Sequence, residues 1–270
     1  MRAAGSEHHA TLVAVYRRTI RASLTRIWEN VLDWEHLPWL HRSSFLAIRL
    51  TAADRDGWRA EVTVPGPPAY EIGLEVRLDR ANLCYTSSTI AGRGAGTEIL
   101  TRLQPVAAHV TDIAVEFRVP GVSDARATAV GNAFVALYTQ LWGEDEAMMM
   151  RRQAVLDGRL GRRADPPAVR LSLGEVAAVR ARAPFTVDMN GQRVRVVVVD
   201  GALVAHGTVC PHLGGPLDDA PIDDGGITCP WHGYRFDVRT AQSCDGRSYQ
   251  LEATARIEID AHSQVFLTCT

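Results

Sequence analysis

Two cysteine–histidine pairs constrain this chain more than any other feature. Cys210-Pro211-His212 is followed, after sixteen residues, by Cys229-Pro230-Trp231-His232, and Gly214, Gly215 and Gly233 flank the pairs. Two thiolates and two imidazoles on two short loops suit an iron–sulfur cluster in which sulfur holds one iron and nitrogen the other. The glycines let backbone come close to the inorganic sulfides, where N–H groups can donate to them. Runs such as RVRVVVVD and ALVAHG, separated by Gly and Asp turns, read as short strands, so the loops project from an all-β region. The alternative is a zinc ion on the same two Cys and two His, although zinc modules this short do not usually sit on two glycine loops of a β domain.

Composition changes at DGRLGRRADPPAVR, residues 157–170, where Gly, Arg and a Pro pair interrupt two folded-looking stretches. This divides the chain into a domain over 1–158, a linker over 159–168 and a domain over 169–270. In the first, TLVAVYRRTI alternates like a strand, and Ser23 can cap a helix. Short alternating runs then read as antiparallel hairpins, and a long helical pattern runs from about Asp124 to Asp157. The expected order is strand, two short helices, about six strands, long helix.

A net charge of -2 lacks the basic footprint of nucleic-acid or anionic-membrane binding. No run reaches the length of a membrane span, and MRAAGSEHHA leads into strand-like sequence without the apolar core of a secretory signal. Five cysteines without disulfide spacing favour a reducing, cytoplasmic setting. Cys84, Cys244 and Cys269 read as small core or near-core residues. His109 and His206 read as structural residues in strands, and His8, His9 and His262 as exposed.

The segment ENVLDWEHLPWLH, residues 29–41, sets two carboxylates and two histidines into an apolar helical pattern. On an ideal helix Glu29, Asp33 and His36 share a stripe, while the apolar arc is wider than a surface helix needs, so the stripe faces a cavity or a partner domain. Histidines five apart diverge by about 140° on a straight helix. Pro38 disfavours helix at Leu37 and can start a second short helix, so a bend between His36 and His41 lets the rings converge. A third, carboxylate ligand would complete a non-haem iron(II) site with open positions. On the long helix Val130, Phe134, Leu137, Leu141 and Met148 mark a buried stripe that includes Asp145, where an ionised acid is expensive unless paired or metal-bound. Glu144 on its flank is the reserve candidate.

CPHLGGPL and CPWHGYRFD, with their C-x-H and C-x-x-H spacing, resemble the Rieske [2Fe–2S] family over roughly residues 168–270. Cys210, His212, Cys229 and His232 would then hold the cluster. High-potential members tie their loops with a disulfide and place a Ser hydroxyl near the cluster; here those positions are Gly215, Trp231 and Tyr234, which implies a low place in a span of roughly -150 to +300 mV. The element order and IRASLTRIWENVLDWEHLPWLH resemble the helix-grip (START/SRPBCC-like) fold. The overall class is α+β: a helix-grip domain, then an all-β Rieske domain.

ENVLDWEHLPWLH also matches the pattern E-x3-D-x2-H-x4-H of the catalytic domains of Rieske oxygenases, and WGEDEAMMMRRQ looks like the segment that gives their carboxylate ligand. The resemblance implies iron(II) on His36, His41 and Asp145, Asp33 as the bridge to a cluster histidine, and Glu29 and Asn30 as outer groups. It implies an external ferredoxin or reductase, O2, and mono- or dioxygenation of a small apolar substrate in a pocket near Phe45, Phe117, Phe134 and Tyr138. A homo-oligomer, a ring of three, is expected. The domain order is the reverse of the family's, and the catalytic half is short. The other reading is a START-like ligand-binding module, in which an Asp-x4-Pro-Trp bend serves packing, fused to a Rieske electron carrier without mononuclear iron.

Overall fold

The structure, a computed structural model, describes residues 10–160, 169–189, 191–252 and 255–269. His8, His9 and most of the expected linker lie outside the described residues, as does the side chain of Cys269. The chain forms two compact units, Met1–Met150 and Arg151–Thr270.

The first unit opens with β1 (Thr11–Ile20), α1 (Leu24–Leu32), a 3-10 turn (Trp34–His36) and α2 (Leu37–Leu40). Six strands follow: β2 (Ala47–Asp54), β3 (Gly57–Val64), β4 (Tyr70–Asp79), β5 (Cys84–Gly92), β6 (Glu98–Ala107) and β7 (Val110–Val119). Then comes α3 (Asp124–Leu160), whose residues from Arg151 onward belong with the second unit. The strands form one antiparallel sheet ordered β1-β7-β6-β5-β4-β3-β2, with α3 packed on its concave side, which is the helix-grip architecture.

Ile20, Ile27, Val62, Val115 and Phe117 are fully buried between sheet and helices, each worth about 1.5–3 kcal/mol of burial. Gly131 lets α3 approach β1: a Cβ there would lie 2.3 Å from the Val13 carbonyl oxygen. The Trp58 indole N–H donates to the Val31 carbonyl at 2.9 Å and ties the end of α1 to β3. Glu146, buried on α3, accepts from the Arg21 backbone and side chain and pairs with Arg18. Ser23 caps α1 by accepting from the Arg26 amide.

The second unit continues with β8 (Val169–Glu175), α4 (Val176–Arg182), β9 (Phe185–Met189), β10 (Gln192–Val199) and β11 (Ala202–Gly207). It ends with β12 (Ile222–Asp223), β13 (Gly226–Thr228), β14 (Arg235–Asp237), β15 (Arg256–Ile259) and β16 (Gln264–Cys269). They make three small antiparallel sheets, ordered β11-β10-β9, β12-β13-β14 and β15-β16-β8. Val179, Val196 and Val265 form one core, and Met189, Val194 and Leu267 another. Among the described residues, no helix is long and apolar enough to cross a membrane.

Three sequence expectations are corrected. His109 is exposed in the turn between β6 and β7, where the hairpin has already reversed, and is not a strand residue. Cys244 is exposed in a loop. Phe117 lies wholly beneath the cavity surface, stacked on Phe134 with centroids 5.1 Å apart, so it supports the cavity wall without lining it. His206 is buried in β11 and donates from Nδ1 to the Gly207 carbonyl, as a structural histidine should.

Two candidate metal centres

The first centre lies at the corner after α1. The helix breaks at Asp33 (φ -83°, ψ 81°), whose amide donates to the carbonyls of Glu29 and Asn30. Leu37 is helical in spite of the proline after it, so the main bend falls ahead of His36 and not between the two histidines. Pro38 starts α2, whose first-turn amides need no partner within the helix. The mix of 3-10 and α turns, with His41 leaving the helix at ψ 34°, brings the rings to 5.0 Å between centroids.

Asp145 meets them from α3. Its Oδ1 lies 3.1 Å from His41 Nε2 and 3.5 Å from His36 Nε2, and one ligand atom from each residue lies within 4.8 Å of the others. Metal bonds of about 2.0–2.2 Å would set ligand atoms about 3 Å apart at right angles, so this set fits a single ion. Asn30 donates to Asp145 Oδ1 at 3.0 Å. Behind the rings stand two more carboxylates: Glu144 Oε2 is 2.6 Å from His41 Nδ1, and Asp33 Oδ2 is 3.6 Å from His36 Nδ1. Glu144, expected as the reserve ligand, therefore stands behind a histidine. Such partners fix the tautomer and aim Nε2 at the ion.

Burial alone would lower the His41 pKa, but the charge of Asp145 and hydrogen bonds from Asp145 and Glu144 outweigh it and raise the value above that of free imidazole. Burial would raise Asp145, but His41 outweighs it and holds the carboxyl below its usual range.

These residues border a cavity of about 500 Å³. Phe134, Leu137, Tyr138 and Leu141 of α3 face it at helical spacing, and Asp145 continues the same stripe four residues on. Ile72, Leu74 and Val76 face it from β4 at the two-residue period of a strand.

The second centre is built from two loops of one pattern. The Cys210 amide donates to the Gly215 carbonyl and the Gly214 amide to the Cys210 carbonyl; the Cys229 amide donates to Tyr234 and the Gly233 amide to Cys229. Gly214 (φ 87°) and Gly233 (φ 71°) hold the corresponding left-handed positions. Cys210 and Cys229 are buried, and the His212 and His232 rings lie 4.5 Å apart. The two cysteines share one hydrogen bond, which raises the pKa of the Cys210 thiol and brings that of Cys229 down to about 5. Tyr234 stacks on His212 at 4.3 Å, with Arg247 over the far ring. A Cβ on Gly215 would sit 2.5 Å from Cys229 Sγ and 3.3 Å from the Trp231 ring. The two thiols, two imidazoles and bare glycine edge form a cradle that fits a [2Fe–2S] group.

Residues 170–257 match the family described as Rieske [2Fe-2S] domain. The second unit is a Rieske domain. Apoptosis-inducing factor 3 of Mus musculus and of Homo sapiens are each 37% identical over 54 residues, 20% of this chain. The match spans only 9% of the length of those relatives. The Rieske domain's structure is similar to the ferredoxin of carbazole 1,9a-dioxygenase from Nocardioides aromaticivorans IC177 (22% identity, 38% of this chain and 98% of that one, TM-score 0.31). Similar to about half of the chain are the Zhui aromatase/cyclase from Streptomyces sp. R1128 (13% identity, 52% of this chain and 93% of that one, TM-score 0.43) and a START superfamily protein from Mycobacterium smegmatis (17%, 50% and 97%, TM-score 0.40). The helix-grip assignment rests on the strand order and α3. The Rieske domain supports a [2Fe–2S] cluster and an electron-transfer role.

Proposed function

We propose that this chain is a Rieske-type non-haem iron oxygenase acting on a small apolar or aromatic substrate, and that the observation carrying this reading is the convergence of His36, His41 and Asp145 on the cavity, with a carboxylate behind each ring. With both groups bound, the cluster on Cys210, His212, Cys229 and His232 would deliver electrons from an external ferredoxin or reductase, by way of Asp33, and an iron(II) would offer open positions for activating O2 toward hydroxylation or demethylation.

The chain's own part is binding and orientation. Glu144 holds His41 with Nδ1–H toward its carboxylate, leaving Nε2 for the metal, and the Asp33 carboxylate stands 3.6 Å behind His36 Nδ1, at ion-pair distance. Asn30 fixes one oxygen of Asp145 by donating to it. Leu74, Val76, Phe134 and Leu141 keep the substrate side apolar, which excludes water from the reacting group.

Iron content after anaerobic reconstitution tests this. The oxygenase should hold three irons and two acid-labile sulfides per chain, and His41→Ala should lower the iron to two without bleaching the visible spectrum. Two irons in the unsubstituted protein would leave a ligand-binding module joined to an electron carrier.

A further inference from the structure

The cavity of the first unit has one metal-binding end and one arginine. β5 sends Tyr85, Ser87 and Thr89 into it on alternate residues. The strand begins beside the metal site, where the charge of Asp145 bears on the Tyr85 hydroxyl. From there it runs for about 20 Å, at roughly 3.3 Å per residue, to the turn Gly92-Arg93-Gly94-Ala95-Gly96. That turn is not slack: the Ala95 amide donates to Gly92, the Thr97 amide to Gly94 and the Gly96 amide to Thr89. Gly92, Gly94 and Gly96 all have positive φ, a backbone path that presents Arg93 at the cavity rim.

Among the described residues Arg93 is the only arginine on the cavity lining, and the chain has no lysine. Its guanidinium lies 5.2 Å from the centroid of the Tyr70 ring, which also lines the cavity. Most other arginines of this sheet spend their charge on neighbouring acids: Arg49 on Glu61, Arg59 on Glu75, Arg77 on Asp54 and Glu75, Arg118 on Glu116. Among the described residues Arg93 has no carboxylate partner, so its donor fork is available at the mouth of an apolar chamber.

We infer that the cavity takes an elongated apolar carboxylate, with the acid group held by Arg93 at the rim and the apolar end directed to His36, His41 and Asp145. The inference rests on reading this cavity as the substrate pocket. An arginine receives a carboxylate by two parallel N–H···O bonds, which fixes direction as well as position. The opposite orientation would strip water from an anion amid apolar walls and set it against Asp145 and Asp33. Only one orientation satisfies both ends, and it selects which carbon of the ligand lies beside the metal-binding residues.

Calorimetric titration of the metal-free full-length chain with biphenyl-4-carboxylate and with the neutral biphenyl-4-carboxamide tests this without iron. The acid should bind at least fivefold tighter than the amide. Arg93→Gln should erase that gap while leaving amide affinity within twofold, and Arg93→Lys should keep part of it. Equal affinities in the unsubstituted chain, a gap that survives Arg93→Gln, or no binding of either compound would each overturn the assignment. His41→Ala should leave the acid preference intact, so failure of the iron site and failure of the anion site give different results.

Discussion

His41 and Asp145 meet across 104 positions of chain, whereas Cys210, His212, Cys229 and His232 sit on two loops that are near copies of each other. The distant pair is held by tertiary packing: a helix break at Asp33, a close approach at Gly131 and a long helix that must seat with the right face inward. The loop site is held by its own backbone hydrogen bonds. The outer partners differ as well. In the first site each ring has a carboxylate behind it, while in the second Tyr234 and Tyr249 cover His212 with aromatic surface. Negative charge thus surrounds the proposed cation site, and apolar cover the proposed cluster site.

The sharpest way to break this comparison is to remove one site and ask about the other. Cys229→Ser should abolish the visible absorbance of the cluster yet leave one iron per chain on His36, His41 and Asp145, as counted by elemental analysis with labile sulfide. Loss of all three irons would show that the sites do not form independently. A smaller effect is expected from Glu144→Gln, which takes away the charge behind His41: Fe(II) affinity, followed by anaerobic competition with a chelator, should fall about 10–100-fold.

The order of elements in the first unit was legible because the hydrophobic period switches between two and 3.6 residues at each boundary. So was the loop site, whose ligands are neighbours in sequence. The stripe through Phe134, Leu137 and Leu141 correctly carried Asp145 inward, since helical spacing is exact over so few turns. What could not be read was the role of Glu144. Adjacent helix positions differ by about 100°, enough for one carboxylate to face the metal position and its neighbour to face the back of a ring, but which does which depends on where His41 arrives. The break at Asp33 was missed for a related reason: proline is visible in sequence, whereas an aspartate that ends a helix by turning to ψ 81° is not. Phe117 looked like cavity lining because strand alternation gives the inward face without saying that α3, through Phe134, already covers it.

Stability offers the next test of how each unit is held. Burial would raise the Glu146 pKa, but hydrogen bonds from Arg21 and the charge of Arg18 outweigh it and hold the value below that of a free glutamate. Its contribution is therefore present above about pH 4.5 and is lost as pH falls through the lowered native value. Glu146→Gln should cost about 1–2 kcal/mol at pH 7, a figure discounted because Arg18 and Arg21 keep contact with solvent, and the loss should shrink in urea titrations at lower pH. The smallest effect belongs to His206 in the second unit, where burial lowers the pKa. The unfolded chain then binds the extra proton below about pH 6.5. Stability should drop as pH falls through that range, by roughly 1 kcal/mol or less, read as a falling thermal midpoint, and His206→Gln should flatten the dependence.

Trp231 lies on bare Gly215, where the two loops meet. Neither residue is a cysteine, and Cys210 and Cys229 are free thiols, so dithiothreitol or glutathione has no disulfide between the loops to open. On the proposed function, the visible absorbance of the cluster should hold steady across thiol buffers.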